Sequence, residues 1–414
     1  MHWKKRVHGQ RKRVSSQRIW VFMVVVPGML LVAMIFMRLS PFIFENHRYR
    51  LANEDVAINE DADIVREEAE LGGVVQDQGS VGVAPSHLVD MHDESIEIPY
   101  AHANAMEPEM VCSDGVQHHG ALRVVGTQLT DVHGKPVQLR GFSSHGLQWY
   151  PTYMNSRALL TTRDYGANMV RAAMYADSIH GGYNQDTVFM NWNRNMMYMT
   201  IENALSSDMY VIADWHLLMD KTPLTYMQEA SLFFDNLSKH YADEPGVLYE
   251  ICNEPNGDVP WKDIKTYAEQ VIPMIRNNNP DAIIIVGTPQ YSMDLFSVID
   301  DPLEFENILY SYHFYTGYNT AFQEILDLAL EAGLPVFVTE WGIKRDRDSG
   351  ELGLDEASAF HNFLEKRNIS WANWSLSNKE EDHAAIRSDV QKLSGWVEDD
   401  LTESGKFVFD ALSR

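Results

Sequence analysis

"VLYEICNEPNG" (residues 247–257) passes from an apolar start into an Asn-Glu pair and a Pro-Asn-Gly turn. A buried strand that ends by presenting Glu254 strips a charge of its hydration, which is costly unless a partner or a chemical role compensates it. The stretch reads as a β-strand that delivers a functional group at its C-terminal end. The fold then depends on whether other segments are built the same way.

Seven more are. In chain order, the runs are "VQLRGFSS" from Val137, "NMVRAAMY" from Asn168, "YVIADWH" from Tyr210, the opening stretch from Val247, "AIIIVGT" from Ala282, "ILYSYHFY" from Ile308, "PVFVTEWG" from Pro335 and "SWANWSLS" from Ser370. A hairpin pattern, "LRVVGTQLTDVHGKPVQL", precedes them. Between the runs lie stretches such as "YMQEASLFFDNLSKHYA" and "WKDIKTYAEQVIPMIRNNN", whose apolar residues recur every three or four positions, as on a helix face. Alternating strands and helices imply a parallel sheet covered by helices. Eight such units over about 300 residues predict an α/β fold of the closed (β/α)8, or TIM barrel, type. An open doubly wound sheet is the alternative, but no G-x-G-x-x-G follows the first strand.

Chemistry in such barrels sits at the C-terminal ends of the strands. There this chain places Glu254 and Glu340, with His145, Arg171, His216, His313, Tyr315 and Trp374 on or beside other strands. Two carboxylates in one cleft can hydrolyse a glycosidic bond, one protonated to donate to the leaving oxygen and the other ionised to attack or to activate water. Arg171 and Tyr315 are suited to keeping Glu340 charged, and that charge would help Glu254 hold its proton. Asn253 is suited to a sugar 2-hydroxyl. Each feature also has a structural reading. A strand-end Glu often caps or pairs, Trp149, Trp341 and Trp374 could be core, and the three histidines could be structural or form a metal site. No H-x-H pair stands on the first strand, so neither a metal nor another cofactor is expected.

The formal charge of −26 argues against nucleic acid as a partner. It is unevenly spread. Residues 1–50 hold ten Lys/Arg and one acid, whereas residues 51–110 hold fifteen acids and one Arg. Ile19 to Met37 is a stretch of nineteen residues without a charge, roughly the length that crosses a bilayer. Seven basic residues precede it, which orients the N-terminus to the cytoplasm. It lacks the A-x-A-like end of a cleavable signal peptide, which is the competing reading. The expected organisation is a basic cytoplasmic segment (1–18), a transmembrane signal anchor (19–37), an acidic linker (38–112) and the barrel (113–414). The lipid bilayer is thus a partner, with an extracytoplasmic catalytic domain expected to be monomeric. Two cysteines, Cys112 and Cys252, are expected to be unpaired.

From about Gly115 to Leu412 the chain resembles glycoside hydrolase family 5, in particular its bacterial-type endo-β-1,4-glucanases (cellulases). The stretches that carry the resemblance are "SSHGLQWY", "RAAMY", "DWH", "YEICNEPNG", "IIIVGT", "HFY", "EWG" and "WANWSLSNKEE". It implies a retaining double displacement with Glu254 as acid/base and Glu340 as nucleophile. Arg171 and Tyr315 would hold Glu340, and Asn253, His216 and His313 would shape the cleavage subsite. Trp374 would floor that subsite, His145 and Trp149 would grip the next sugar, and Lys379 and Glu381 would contact the glucan further out. The substrate implied is a β-glucan polysaccharide or oligosaccharide; another β-1,4 backbone (mannan, xylan, mixed-linkage glucan) is the alternative, and a glycan-binding pseudoenzyme a remoter one. Cys252 and the charged loop "GIKRDRDSGELG" depart from the family pattern.

Overall fold

The computed structural model describes residues 114–414 except 319–320 and 347–348. The expected segments 1–18, 19–37 and 38–112, and Cys112 with them, lie outside the described residues. Among the described residues no helix is long and apolar enough to cross a membrane.

A hairpin, β1 (Arg123–Val125) and β2 (Gln128–Thr130), precedes eight further strands. These are β3 (Arg140–Ser144), β4 (Met169–Tyr175), β5 (Tyr210–His216), β6 (Val247–Glu250), β7 (Ile284–Val286), β8 (Ile308–Tyr315), β9 (Val336–Gly342) and β10 (Trp371–Leu376). They pair in parallel, and β10 closes on β3, which makes the expected (β/α)8 barrel. Amphipathic helices such as Met227–His240 and Trp261–Asn278 cover the outside; Phe233, Phe234 and Leu237 on the first, and Ile264, Val271 and Ile275 on the second, are buried.

Alternation along the strands sorts their side chains between two environments. In β5, Val211, Ala213 and Trp215 face outward into the strand–helix core, where each fully buried large side chain contributes about 1.5–3 kcal/mol. Tyr210 and Ile212 face inward instead. They join Leu139, Met169, Leu248, Ile285, Leu309 and Phe337 in an apolar plug at the N-terminal end of the barrel. Further along the same strands the buried residues are Arg171, Asp214, Glu250 and Ser311, and beyond them His216, His313 and Glu340. The interior is therefore stratified, apolar below and ionisable above.

One strand reading needs correction, and one strand carries an irregularity. The run through Glu254 is shorter than expected: β6 ends at Glu250, and Glu254 follows in a loop tied back by Glu254 N–H donating to Leu217 O at 3.2 Å. Strict alternation in "VFVTEWG" would turn Thr339 and Glu340 to opposite faces. A register shift against β8, where Ser311 pairs with Phe337 but His313 with Glu340, inserts an extra residue and brings both inward.

Candidate active site

Close backbone approach at two glycines seats the site. A Cβ on Gly287, just after β7, would fall 2.5 Å from Cys252 O and 2.6 Å from Asn253 O; a Cβ on Gly342 would fall 2.4 Å from the Tyr315 ring. Only glycine lets the loop after β6 and the Tyr315 ring lie where they do.

Arg171 is the hub. Its guanidinium, fully buried, donates from Nε to Glu250 Oε2 (2.6 Å), from Nη1 to Glu340 Oε2 (3.0 Å) and from Nη2 to Asn253 Oδ1 (2.5 Å), and Nη2 lies 3.0 Å from Asp214 Oδ2. Burial alone would lower the Arg171 pKa, but the negative charge shared among Asp214, Glu250 and Glu340 outweighs it and holds the guanidinium charged. Tyr315 Oη donates to the other Glu340 oxygen at 2.7 Å. Burial, reinforced by the Glu340 charge, pushes the Tyr315 hydroxyl well above its usual range, so it remains a donor. Each Glu340 oxygen thus accepts a hydrogen bond.

The surroundings of Glu254 run the other way. Ser311 Oγ donates to Glu250 Oε1 (3.1 Å) and lies 2.8 Å from Thr339 Oγ1, which lies 3.0 Å from His313 Nε2. His313 Nδ1 lies 2.6 Å from Glu254 Oε1. Burial pushes His313 down to about 4, so the ring is neutral at neutral pH. Because the Glu250 carboxylate accepts from Ser311, Ser311 accepts from Thr339 and Thr339 accepts from His313 Nε2–H. His313 Nδ1 is then a bare lone pair, and the short contact requires Glu254 to donate. The chain of bonds specifies a protonated Glu254, facing a Glu340 whose two oxygens both accept hydrogen bonds.

Glu254, His313 and Glu340 each place one oxygen or ring nitrogen within 4.8 Å of the others. That proximity would suit a cation, but the electrons are committed: His313 Nδ1 to Glu254, and Glu340 to Arg171 and Tyr315. A guanidinium 3.0 Å from Glu340 also repels a second positive charge. The donor set fits a proton-transfer pair.

An aromatic wall borders the pair. The Trp374 ring, 6% exposed, stacks on His216 at 5.4 Å and lies 5.0 Å from His145; Trp149, 38% exposed, lies 5.7 Å from His145. The Trp374–Ser375 peptide bond is cis. Burial pushes His145 down to about 3, so it too is neutral. Farther out, Glu381 lies between Lys379 Nζ (3.0 Å) and His383 Nδ1 (3.1 Å). Burial alone would raise Glu381, but His383 and Lys379 outweigh it and hold the carboxyl well below its usual range. Trp341, by contrast, is fully buried against Phe360 and Trp371 and belongs to the core.

Sequence reasoning missed several residues of this constellation. Asp214, Glu250, Ser311 and Thr339 are buried between the apolar plug and the cleft. The Tyr175 ring packs at a tilt against His216 at 4.3 Å and against Trp149 at 4.8 Å. The available signal was the inward parity of the charges within "YVIADWH" and "VLYE": a barrel interior admits a carboxylate only where a cation meets it.

The fold and site define a barrel glycosidase architecture: facing carboxylates below an aromatic-lined cleft. Residues 130–380 match the family model described as cellulase (glycosyl hydrolase family 5). An endoglucanase of Clostridium saccharobutylicum is 43% identical over 292 residues, covering 70% of this chain and 64% of the relative. Endoglucanase A of Butyrivibrio fibrisolvens is 42% identical over 308 residues, covering 72% of this chain and 70% of the relative. The crystal structure of the catalytic domain of Thermobifida fusca endoglucanase Cel5A in complex with cellotetraose is similar at a TM-score of 0.67 and 34% identity, covering 72% of this chain and 99% of that one. The chain belongs to the cellulase family, glycosyl hydrolase family 5.

Proposed function

We propose that this protein is a retaining endo-β-1,4-glucanase acting on β-glucan chains. The observation that carries the mechanism is that Glu254 and Glu340 face each other with one carboxyl oxygen from each within 4.8 Å of the other. Retaining pairs stand about 5–5.5 Å apart, whereas inverting pairs need about 6.5–9.5 Å to admit a water. Glu340 attacks the anomeric carbon while Glu254 passes its proton to the leaving oxygen. Forming the ester removes the Glu340 charge, so Glu254 is released to act as base toward the incoming water. Asn253 meets the sugar 2-hydroxyl, Trp374 floors the cleavage subsite with His216 and His313 around it, and His145 and Trp149 hold the next ring. Lys379 and Glu381 extend the contact outward.

The glucan assignment is supported by the named endoglucanase relatives. Cellopentaose hydrolysis followed by NMR tests both halves. Net retention with internal cleavage is expected; an inverted first product overturns the mechanism, and release of sugar only from mannan or xylan overturns the substrate.

The reading extends to the membrane. Residues 19–37 anchor the chain with its N-terminus in the cytoplasm, residues 38–112 form an acidic tether, and a monomeric catalytic domain works beyond the bilayer. Support comes from the uncharged stretch and the basic residues before it. Full-length protein should pellet with membranes and resist carbonate extraction; recovery in the soluble fraction contradicts the anchor.

A further inference from the structure

Three buried carboxyl groups, Asp214, Glu250 and Glu340, surround the Arg171 guanidinium. If all three were ionised, the cluster would carry two uncompensated negative charges away from water, an arrangement that proteins relieve by retaining a proton. The hydrogen bonds show where. Both Glu340 oxygens accept, from Arg171 and Tyr315, and both Glu250 oxygens accept, from Arg171 and Ser311. Asp214 is lopsided. Its Oδ2 faces Arg171 Nη2 at 3.0 Å and His216 Nδ1 at 2.7 Å, while its Oδ1 is buried with no hydrogen-bond partner among the described residues.

The neighbouring tautomers are fixed as well. Arg171 can only donate, so Asn253 turns Oδ1 toward it and Nδ2 toward His216 Nε2, 3.3 Å away. His216 Nε2 therefore accepts, and Nδ1–H donates to Asp214 Oδ2. A proton on Asp214 must then sit on Oδ1.

We propose that Asp214 is a positioning residue held in its protonated form at neutral pH: its neutral carboxyl fixes the His216 tautomer and leaves the Arg171 charge to Glu250 and Glu340. Burial raises Glu250 as well as Asp214, but both Glu250 oxygens accept hydrogen bonds and Asp214 Oδ1 does not. Arg171 on β4 is the cation, Glu250 on β6 and Glu340 on β9 are the competing carboxylates, and His216 on β5 is neutral because burial keeps it well below its usual range. The Cys252 thiol and Tyr267 hydroxyl nearby are both pushed up by burial and stay uncharged. Burial pushes Asp214 itself up to about 8. Above that pH an ionised Asp214 competes with Glu340 for Arg171 and loosens the nucleophile. This kinetic consequence rests on the hydrolase reading; the proton itself does not.

Infrared difference spectra of the full-length protein across the range from about pH 6 to about pH 10 test the idea, because a protonated carboxyl has its own carbonyl stretch. With aspartate carboxyls 13C-labelled, the expected result is a label-shifted band that vanishes with a midpoint of about 8 and is missing from D214N. Asp220 is another aspartate raised by burial, so D220N serves as the control if D214N fails to fold: the band should persist there. The kinetic arm is the pH profile of β-glucan hydrolysis, in which D214N should be about three- to tenfold slower and lack the alkaline inflection. No aspartate-sensitive band, or one that survives in D214N or disappears in D220N, overturns the proposal. An active enzyme without the band defeats this inference alone; a band in a protein that cleaves no glucan defeats the functional reading instead.

Discussion

The lower and upper halves of the barrel interior are made by the same strands and obey different rules. β4 contributes Met169 below and Arg171 above, β5 Ile212 and then Asp214 and His216, β6 Leu248 and then Glu250. Below, close packing excludes water and any aliphatic residue of the right volume serves. Above, burial is just as complete, but every group depends on a specific partner because an unpaired charge there would be prohibitive. A two-residue step along a strand thus separates interchangeable packing from irreplaceable chemistry.

Substitutions in the two layers should separate stability from turnover. The largest effect is expected for Glu340→Gln, which keeps the shape but removes the carboxylate of the proposed nucleophile. Initial-rate assays should show a loss of at least about a thousandfold, with cellotetraose binding retained in calorimetry. Next is Arg171→Met. Removing the cation strands three buried carboxyl groups, so urea unfolding should show a loss of about 3–5 kcal/mol together with lost activity. Thr339→Val interrupts the bonds that hold the Glu254 proton; the rate should drop about tenfold, with Thr339→Ser restoring most of it. In the lower layer, Ile212→Val should cost only about 0.5–1.5 kcal/mol and leave the shape of the pH–rate profile intact.

The same stratification predicts how stability responds to pH. His145 and His313 are pushed down to about 3 and about 4, so the unfolded chain binds protons that the folded site refuses. Their contribution is complete above the ordinary 6.5 and is lost as pH falls through those lower values. Asp214, raised to about 8, has the opposite sign: its contribution is complete below the ordinary 3.8 and is lost as pH rises through 8. Urea midpoints across pH should therefore fall toward both extremes, and D214N should flatten the alkaline side alone.

What the sequence disclosed followed the same division. Apolar runs and their spacing revealed the barrel, because strands buried on both faces must be continuously apolar at their base. Glu254 and Glu340 stood out as charges at the ends of such runs. Details that depend on tertiary contact were hidden. No local pattern announces the extra residue that turns Glu340 inward, and β6 stops at Glu250 because the ladder with β7 ends there. Ser311 and Thr339 look like ordinary strand residues until the hydrogen bonds connecting Glu250 to Glu254 are traced.

The central claim is that Glu340 and Glu254 face each other across a gap one sugar bond wide and act by covalent exchange. Incubation with a 2-deoxy-2-fluoro cellobioside bearing a good leaving group, followed by mass spectrometry of the intact and digested protein, tests it directly. One added glycosyl unit, mapped to the peptide containing Glu340, is the predicted result. A protein that turns over β-glucan yet remains unlabelled, or is labelled on another carboxylate, contradicts the account.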